Sequence, residues 1–270
     1  MKIGFFDSGI GGLTVLHEAY HLLEGSEYIF YGDTDHVPYG LKTNDEIMGY
    51  ADDILKFFVN ENVDAAVIAC NTASAVAAKR LREKYSLPII AMEPAVRPAL
   101  KTDERILVLA TPVTLREEKL KNLIKREGGD GRTDLLPLPD LVGFAEKEEF
   151  DSENVREYLS DKFSDYDVDL YSAVVLGCTH FNYFKDVIRE YFSDKTELID
   201  GAVGAVKRAA DLLGAKVKTE DEKLEIKDIN SLFKTYKTTY YFSGKKVVDD
   251  ASLSHIMRLH NRLEKMRNIS

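Results

Sequence analysis

Val67-Ile68-Ala69-Cys70-Asn71-Thr72-Ala73-Ser74 is the stretch whose reading decides the fold. The small and branched residues Ala65 to Ile68 lead into it, and a helix-forming run from Ala73 to Lys84 leaves it. A buried strand that ends in a thiol and turns straight into a helix puts that thiol at the carboxyl edge of a sheet, where open α/β sheets bind ligands. Cys70 can equally be a small core hydrophobe, the common state of a free cysteine. The rest of the chain has to separate these two readings.

Working outward, the same pattern recurs at Ala173-Val174-Val175-Leu176-Gly177-Cys178-Thr179-His180: apolar strand, small residue, cysteine, polar pair. Further strands are predicted at Lys2–Phe6, Tyr28–Gly32, Leu87–Met92, Ile106–Ala110, Asp134–Leu138 and Glu197–Asp200. Between them fall helical patterns: Leu13 to Leu23, a face of Ile47, Ala51, Ile54, Leu55, Phe58 and Val59, and a face of Leu120, Leu123 and Ile124 that Gly128-Gly129-Asp130-Gly131 ends. Asp151–Phe163 reads as a charged amphipathic helix. Phe184, Val187, Ile188, Tyr191 and Phe192, at i, i+3, i+4, i+7 and i+8, predict another after Cys178. Alternation of this kind means parallel βαβ units with right-handed crossovers.

The pattern restarts at Arg105, so the chain contains two similar halves, with a cysteine ending the third strand of each, 108 residues apart. Two copies of one α/β unit face each other across a cleft, which would set the thiols on opposite walls. The fold class expected is therefore α/β, with two pseudo-symmetric parallel-sheet domains and the active site between them. Lys216–Lys237 reads as surface loop and short elements. Thr239–Ser243 and a helix lined by Leu253, Ile256, Met257, His260 and Leu263 are expected to return to the first half. That gives a discontinuous first domain, residues 1–95 plus 205–270, and a second of residues 96–204.

Composition narrows the class. Lys and Arg number 36 against 46 Asp and Glu in 270 residues, and a net charge of −10 argues against nucleic acid as a partner. It leaves room for an anionic small substrate, because a local site can oppose the global sign. No run approaches the ~20 apolar residues of a membrane span. Met1-Lys2-Ile3-Gly4-Phe5-Phe6-Asp7 has no room for a signal peptide, so a cytoplasmic protein is expected. Two cysteines without C-x-x-C spacing predict neither a disulfide nor a metal site.

Two opposed thiols can invert a stereocentre: one thiolate removes a proton from carbon, and the other thiol returns one from the opposite face. Each thiol needs a partner to tune it. Asp7, at the end of the first strand, is placed to serve Cys70, and His180, two residues past Cys178, to serve that one unless it is a structural histidine. None of the other five histidines, His17 among them, sits by a cysteine. Asn71, Thr72, Thr179 and glycine-rich amides would hold a carboxylate and stabilise an enolate-like transition state. Asp7-Ser8-Gly9-Ile10-Gly11-Gly12 either turns backbone amides toward an anion or is a tight turn that needs glycine. Pro38-Tyr39-Gly40 is either turn chemistry or a phenol and amides offered to a ligand.

Phe6–Gly12 (F-D-S-G-I-G-G), Gly32–Gly40 (G-D-x-x-x-V-P-Y-G), Ala69–Ser74 (A-C-N-T-A-S), Glu93–Ala95 (E-P-A) and Gly177–His180 (G-C-T-H), in this order, resemble the glutamate racemase family. The resemblance implies cofactor-independent, two-base racemisation of glutamate, D-glutamate destined for peptidoglycan, and often a homodimer. Carried over by residue, it makes Cys70 and Cys178 the acid/base pair, with Asp7 and His180 as auxiliaries. Ser8, Tyr39, Gly40, Asn71, Thr72 and Thr179 would contact substrate; Thr111, Thr114 and Glu146 would line the site. By analogy the first cysteine takes the D-glutamate proton. The chain departs from the family with Asp35-His36 for alanine-arginine, Asn182 and Tyr183 for proline and leucine, and Leu138-Pro139 for cysteine-proline. These departures bear on the pocket walls, so an aspartate racemase and a non-catalytic glutamate-binding regulator stand as alternatives.

Overall fold

The central strands of this chain are too apolar to leave a face in water, and those at Lys2–Asp7, Ala65–Ile68, Arg105–Ala110 and Tyr171–Leu176 are buried along nearly their whole length. In the computed structural model, which describes residues 1–101, 103–218 and 236–270, the strands form two sheets. Four parallel strands of the first come from the N-terminal half: β1 (Lys2–Asp7), β2 (Glu27–Gly32), β3 (Ala65–Ile68) and β4 (Ile89–Ala91). The second sheet is wholly parallel: β5 (Arg105–Ala110), β6 (Thr133–Pro137), β7 (Tyr171–Leu176) and β8 (Glu197–Asp200), in the order β6-β5-β7-β8. Then β9 (Thr238–Phe242) returns to pair in parallel with β2, and the short β10 (Lys245–Lys246) closes the first sheet as β10-β9-β2-β1-β3-β4. The α/β class expected from the alternation holds. Parallel sheets of this kind are covered by helices, and their strands read as continuous apolar runs.

Eleven helices are described: α1 (Leu13–Leu22), α2 (Asn44–Asn60), α3 (Asn71–Lys84), α4 (Val96–Ala99), α5 (Pro112–Arg116), α6 (Glu118–Arg126), α7 (Asp140–Glu146), α8 (Glu153–Phe163), α9 (Lys185–Arg189), α10 (Ala202–Leu213) and α11 (Asp250–Arg267). Their starts follow local chemistry. Thr43 and Glu46 form a reciprocal capping box on α2, and Asp249 and Ser152 cap α11 and α8. Within α2 the expected face is buried except for Val59, which is 44% exposed. It sits one residue past Phe58, which fills the face alone. No helix among the described residues is long and apolar enough to cross a membrane.

The regular helix expected after Cys178 is broken up. Thr179–Phe184 winds as a 3-10 turn, and only Lys185–Arg189 is α-helical. The cause is local: the Thr179 carbonyl accepts from the side chains of Thr14 (3.1 Å) and Asn182 (3.3 Å). The apolar residues of the pattern still point inward, with Phe184, Val187 and Ile188 buried. Most of the charged segment Lys216–Lys237, residues 219–235, lies outside the described residues.

One apolar cluster runs through both halves, from Phe5, Val67 and Ala69 to Leu107, Val174 and Leu176. The chain passes between the sheets twice, after β4 and after β8, and the passages touch: a Cβ on Gly201 would lie 2.6 Å from the Glu93 carbonyl oxygen. Helix α11 packs on α1 and on the Thr179–Phe184 turn.

Candidate active site

The site is assembled where strands of both sheets end. β1 ends in Asp7, and Cys70 follows β3 as the N-cap of α3, its Sγ accepting from the Ala73 amide at 3.4 Å. Cys178 follows β7 at the head of the 3-10 turn. Both thiols are free and buried, at 5% and 6% exposure. They lie near enough that a charge on Cys178 acts on Cys70.

Each thiol has its own proton partners. The Cys70 thiol donates to Ser8 Oγ at 3.9 Å, and Ser8 donates to Asp7 Oδ1 at 3.0 Å. Asp7 is therefore linked to Cys70 through Ser8. The carboxylate also accepts from the Gly9 amide (3.3 Å) and, across the seam, from Thr179 Oγ1 (2.8 Å). Burial pushes the Asp7 carboxyl above its ordinary value, against the pull of His180 and these hydrogen bonds. Burial, reinforced by the charge of Asp7, also pushes the Cys70 thiol well up.

Cys178 Sγ lies 3.8 Å from His180 Nδ1, and His180 Nε2 donates to Glu146 Oε1 at 2.7 Å. Burial works to lower the His180 pKa, but hydrogen bonds to Cys178 and Glu146 and the charges of both outweigh it and hold the imidazole well above its ordinary value. His180 thus bridges Cys178 and Glu146, with Nδ1 facing the thiol and Nε2 on the carboxylate. Glu146, at the end of α7, also accepts from the Ile10 amide at 2.8 Å.

The glycine-rich turn answers to packing. A Cβ on Gly9 would overlap the Glu146 carboxylate, and one on Gly11 would sit 2.5 Å from Thr179 Oγ1 and closer still to His180. Bare backbone lets the first half press directly on the Thr179–Phe184 turn of the second, and the Ile10 amide faces the protein's own carboxylate.

The remaining predicted residues fall into two groups. Thr72, Thr111 and Thr114 join their hydroxyls at 2.9–3.3 Å across the seam, and a Cβ on Gly40 would meet Thr111 at 2.9 Å. Asn71 is buried, and its Oδ1 has no hydrogen-bond partner among the described residues. Asn71 and Thr114 also line an adjoining cavity of about 270 Å³, with Lys119 and Arg126 on its rim. The Tyr39 hydroxyl donates to Asp33 Oδ2 at 2.6 Å and lies near enough to Cys70 and Asp7 for their charges to act on it. Asp33 also holds His36, which stacks on Tyr50. Its structural part was not evident from sequence, although Gly32-Asp33 opens one of the motifs. The family departures Asn182 and Tyr183 lie on the Thr179–Phe184 turn: Asn182 on the Thr179 carbonyl, Tyr183 donating to the Ile10 carbonyl at 3.1 Å.

Two parallel α/β halves closed over a pair of partnered thiols define an isomerase of the racemase class. The chain belongs to the Asp/Glu/Hydantoin racemase family, whose sequence pattern matches residues 14–209. It is 45% identical to the glutamate racemase of Lachnospira eligens, over the whole of both chains. Among solved structures it is similar to glutamate racemase from Campylobacter jejuni (30% identity, 97% of this chain and 98% of that one, TM-score 0.78). It is likewise similar to the Francisella tularensis glutamate racemase in complex with D-glutamate (26% identity, 96% and 93% covered, TM-score 0.75).

Proposed function

We propose that this enzyme interconverts L- and D-glutamate by two-base catalysis between Cys70 and Cys178, supplying D-glutamate for peptidoglycan in the cytoplasm. The observation that carries the mechanism is the asymmetry of the two thiols. His180, 3.8 Å from the Cys178 sulfur and held by Glu146 on its other nitrogen, is the partner that fits Cys178 to act as the base for one enantiomer. Burial and Asp7 favour the protonated form of Cys70, making it the acid. Cys178 takes the α-proton of L-glutamate as the Cα–H bond breaks, and Cys70 delivers its own proton to the opposite face of the carbanion. The reverse turnover begins from the state the forward one leaves, with Cys70 as thiolate and Cys178 as thiol: Cys70 takes the α-proton of D-glutamate and Cys178 returns its own to the opposite face. Protons are exchanged one for one, with no redox change. Asn71, the threonine cluster and Thr179 are read as the donors that bind substrate and stabilise the enolate-like state.

The test is circular dichroism of L- or D-glutamate solutions incubated with purified protein and no added cofactor. Both enantiomers should run to the racemate. Cys70→Ala and Cys178→Ala should each lose racemisation, by at least about 10³-fold, since a positioned acid or base supplies about 10²–10⁴. Near-wild-type turnover by either variant sinks the two-thiol scheme, and faster turnover of aspartate than of glutamate sinks the substrate assignment. The homodimer implied by the family resemblance is checked by light scattering of the same preparation.

A further inference from the structure

Away from the catalytic seam, α1 carries His17-Glu18-Ala19-Tyr20-His21, an H-E-x-x-H spacing that sets two imidazoles one turn apart on one helix face. Both are buried, and both aim Nε2 at a single carboxylate oxygen from α11. Glu264 Oε2 lies 2.8 Å from His17 Nε2 and 2.9 Å from His21 Nε2, and one ligand atom from each of the three residues falls within 4.8 Å of the others. The Glu264 side chain is 29% exposed, which leaves a way in from solvent. Behind the cluster, His17 Nδ1 lies 3.0 Å from His260 Nδ1, the kind of outer partner that orients a metal-bound imidazole. Among the described residues, His17, His21 and Glu264 make no hydrogen bond to Cys70, Cys178, Asp7 or His180.

We propose that His17, His21 and Glu264 form a binding site for a divalent transition-metal ion, best matched by zinc, that ties α11 to α1. Two imidazoles and a carboxylate are a three-ligand zinc set whose fourth position is left to solvent. Tetrahedral ligands at ~2.0–2.1 Å from zinc sit roughly 3.3 Å apart, so the two His–Glu separations open by about half an ångström. Without metal, each Nε2 donates its proton to Glu264. With metal, each ring moves that proton to Nδ1 and offers Nε2 as a lone pair, so no proton leaves the pair of rings. His17 Nδ1, which without metal accepts from His260 Nδ1, then donates to it, and His260 carries its own proton on Nε2 instead. His21 Nδ1 has no partner among the described residues, so no bond breaks when that ring changes tautomer.

Glu18 sets the character of the site. In H-E-x-x-H peptidases this glutamate is the general base. Here Glu18 Oε1 accepts from Arg267 Nε on α11 at 2.9 Å, so it serves as a second tie between the same two helices. The site is a clasp, not a hydrolytic centre.

The full-length chain, stripped with a chelator, is titrated with Zn²⁺ alone in a calorimeter. One equivalent per chain should bind, and the unfolding temperature should rise by about 5–10 °C at a hundredfold excess over Kd. His21→Gln and Glu264→Gln should each abolish both effects. X-ray absorption of the zinc-loaded wild type should show only nitrogen and oxygen neighbours at ~2.0–2.1 Å; sulfur at ~2.3 Å would place the metal on the cysteines and overturn the proposal. Absence of binding, or full binding by both variants, overturns it equally. The absorption experiment decides the matter even where a variant does not fold, and none of these readouts depends on which amino acid the enzyme racemises.

Discussion

At Gly11 the molecule uses the absence of a side chain to bring two halves into contact. Gly11→Ala would have to displace both Thr179 and His180, whose atoms occupy the space of the new methyl. A shift of about 1 Å in a catalytic group can cost about 10²-fold, so kcat should fall by that order while far-ultraviolet circular dichroism stays native. His180 carries a second prediction. Its pKa is raised in the folded protein, so the stabilisation it gives is complete below the unfolded value near 6.5 and is lost as pH rises through the higher folded value. Denaturant unfolding of the wild type should weaken across the alkaline range, and His180→Asn should lack that slope; parallel pH profiles would refute it. At this scale the sequence was informative where partners are neighbours, as with Cys178 and His180. It could not show that Glu146 meets His180 across 34 positions, or that the glycines answer to packing, because both depend on the seam.

Elements were readable wherever one periodicity governed them. The parallel strands announced themselves as short apolar runs, and α2 and α6 as stripes. The pattern failed where side chains compete for backbone groups: Thr14 and Asn182 take the Thr179 carbonyl, and a helical stripe becomes a 3-10 turn. It failed more mildly at the margin of a stripe, since Phe58 and Val59 look alike in sequence but only Phe58 reaches the core, against Gly4. Phe58→Ala should therefore cost about 3–5 kcal/mol in urea unfolding. Val59→Ala should stay within about 0.5 kcal/mol, and equal losses would contradict the assignment of faces.

For the whole molecule, the buried thiols and the shared core mean that the proposed reaction at Cys70 and Cys178 requires the seam between the halves to open. The two passages of chain meet where Gly201 abuts Glu93, which confines such an opening to one edge. The opening breaks identifiable bonds, among them Thr179 to Asp7 and the Ile10 amide to Glu146.

The return of β9 to β2 has a consequence in time as well as in space. Removing residues 236–270 strips β9 from the first sheet and leaves the backbone of β2 as a bare edge. That truncated chain should elute as aggregates in size-exclusion chromatography, because an unprotected edge templates pairing between chains. A nascent chain passes through the same condition. The second sheet has all its strands once Asp200 has left the ribosome, whereas the parallel strands of the first are complete only with Phe242, forty-two residues later. At translation rates of about 5–20 residues per second this is a delay of roughly 2–8 s. The half that begins second in the gene is therefore the first that can finish folding.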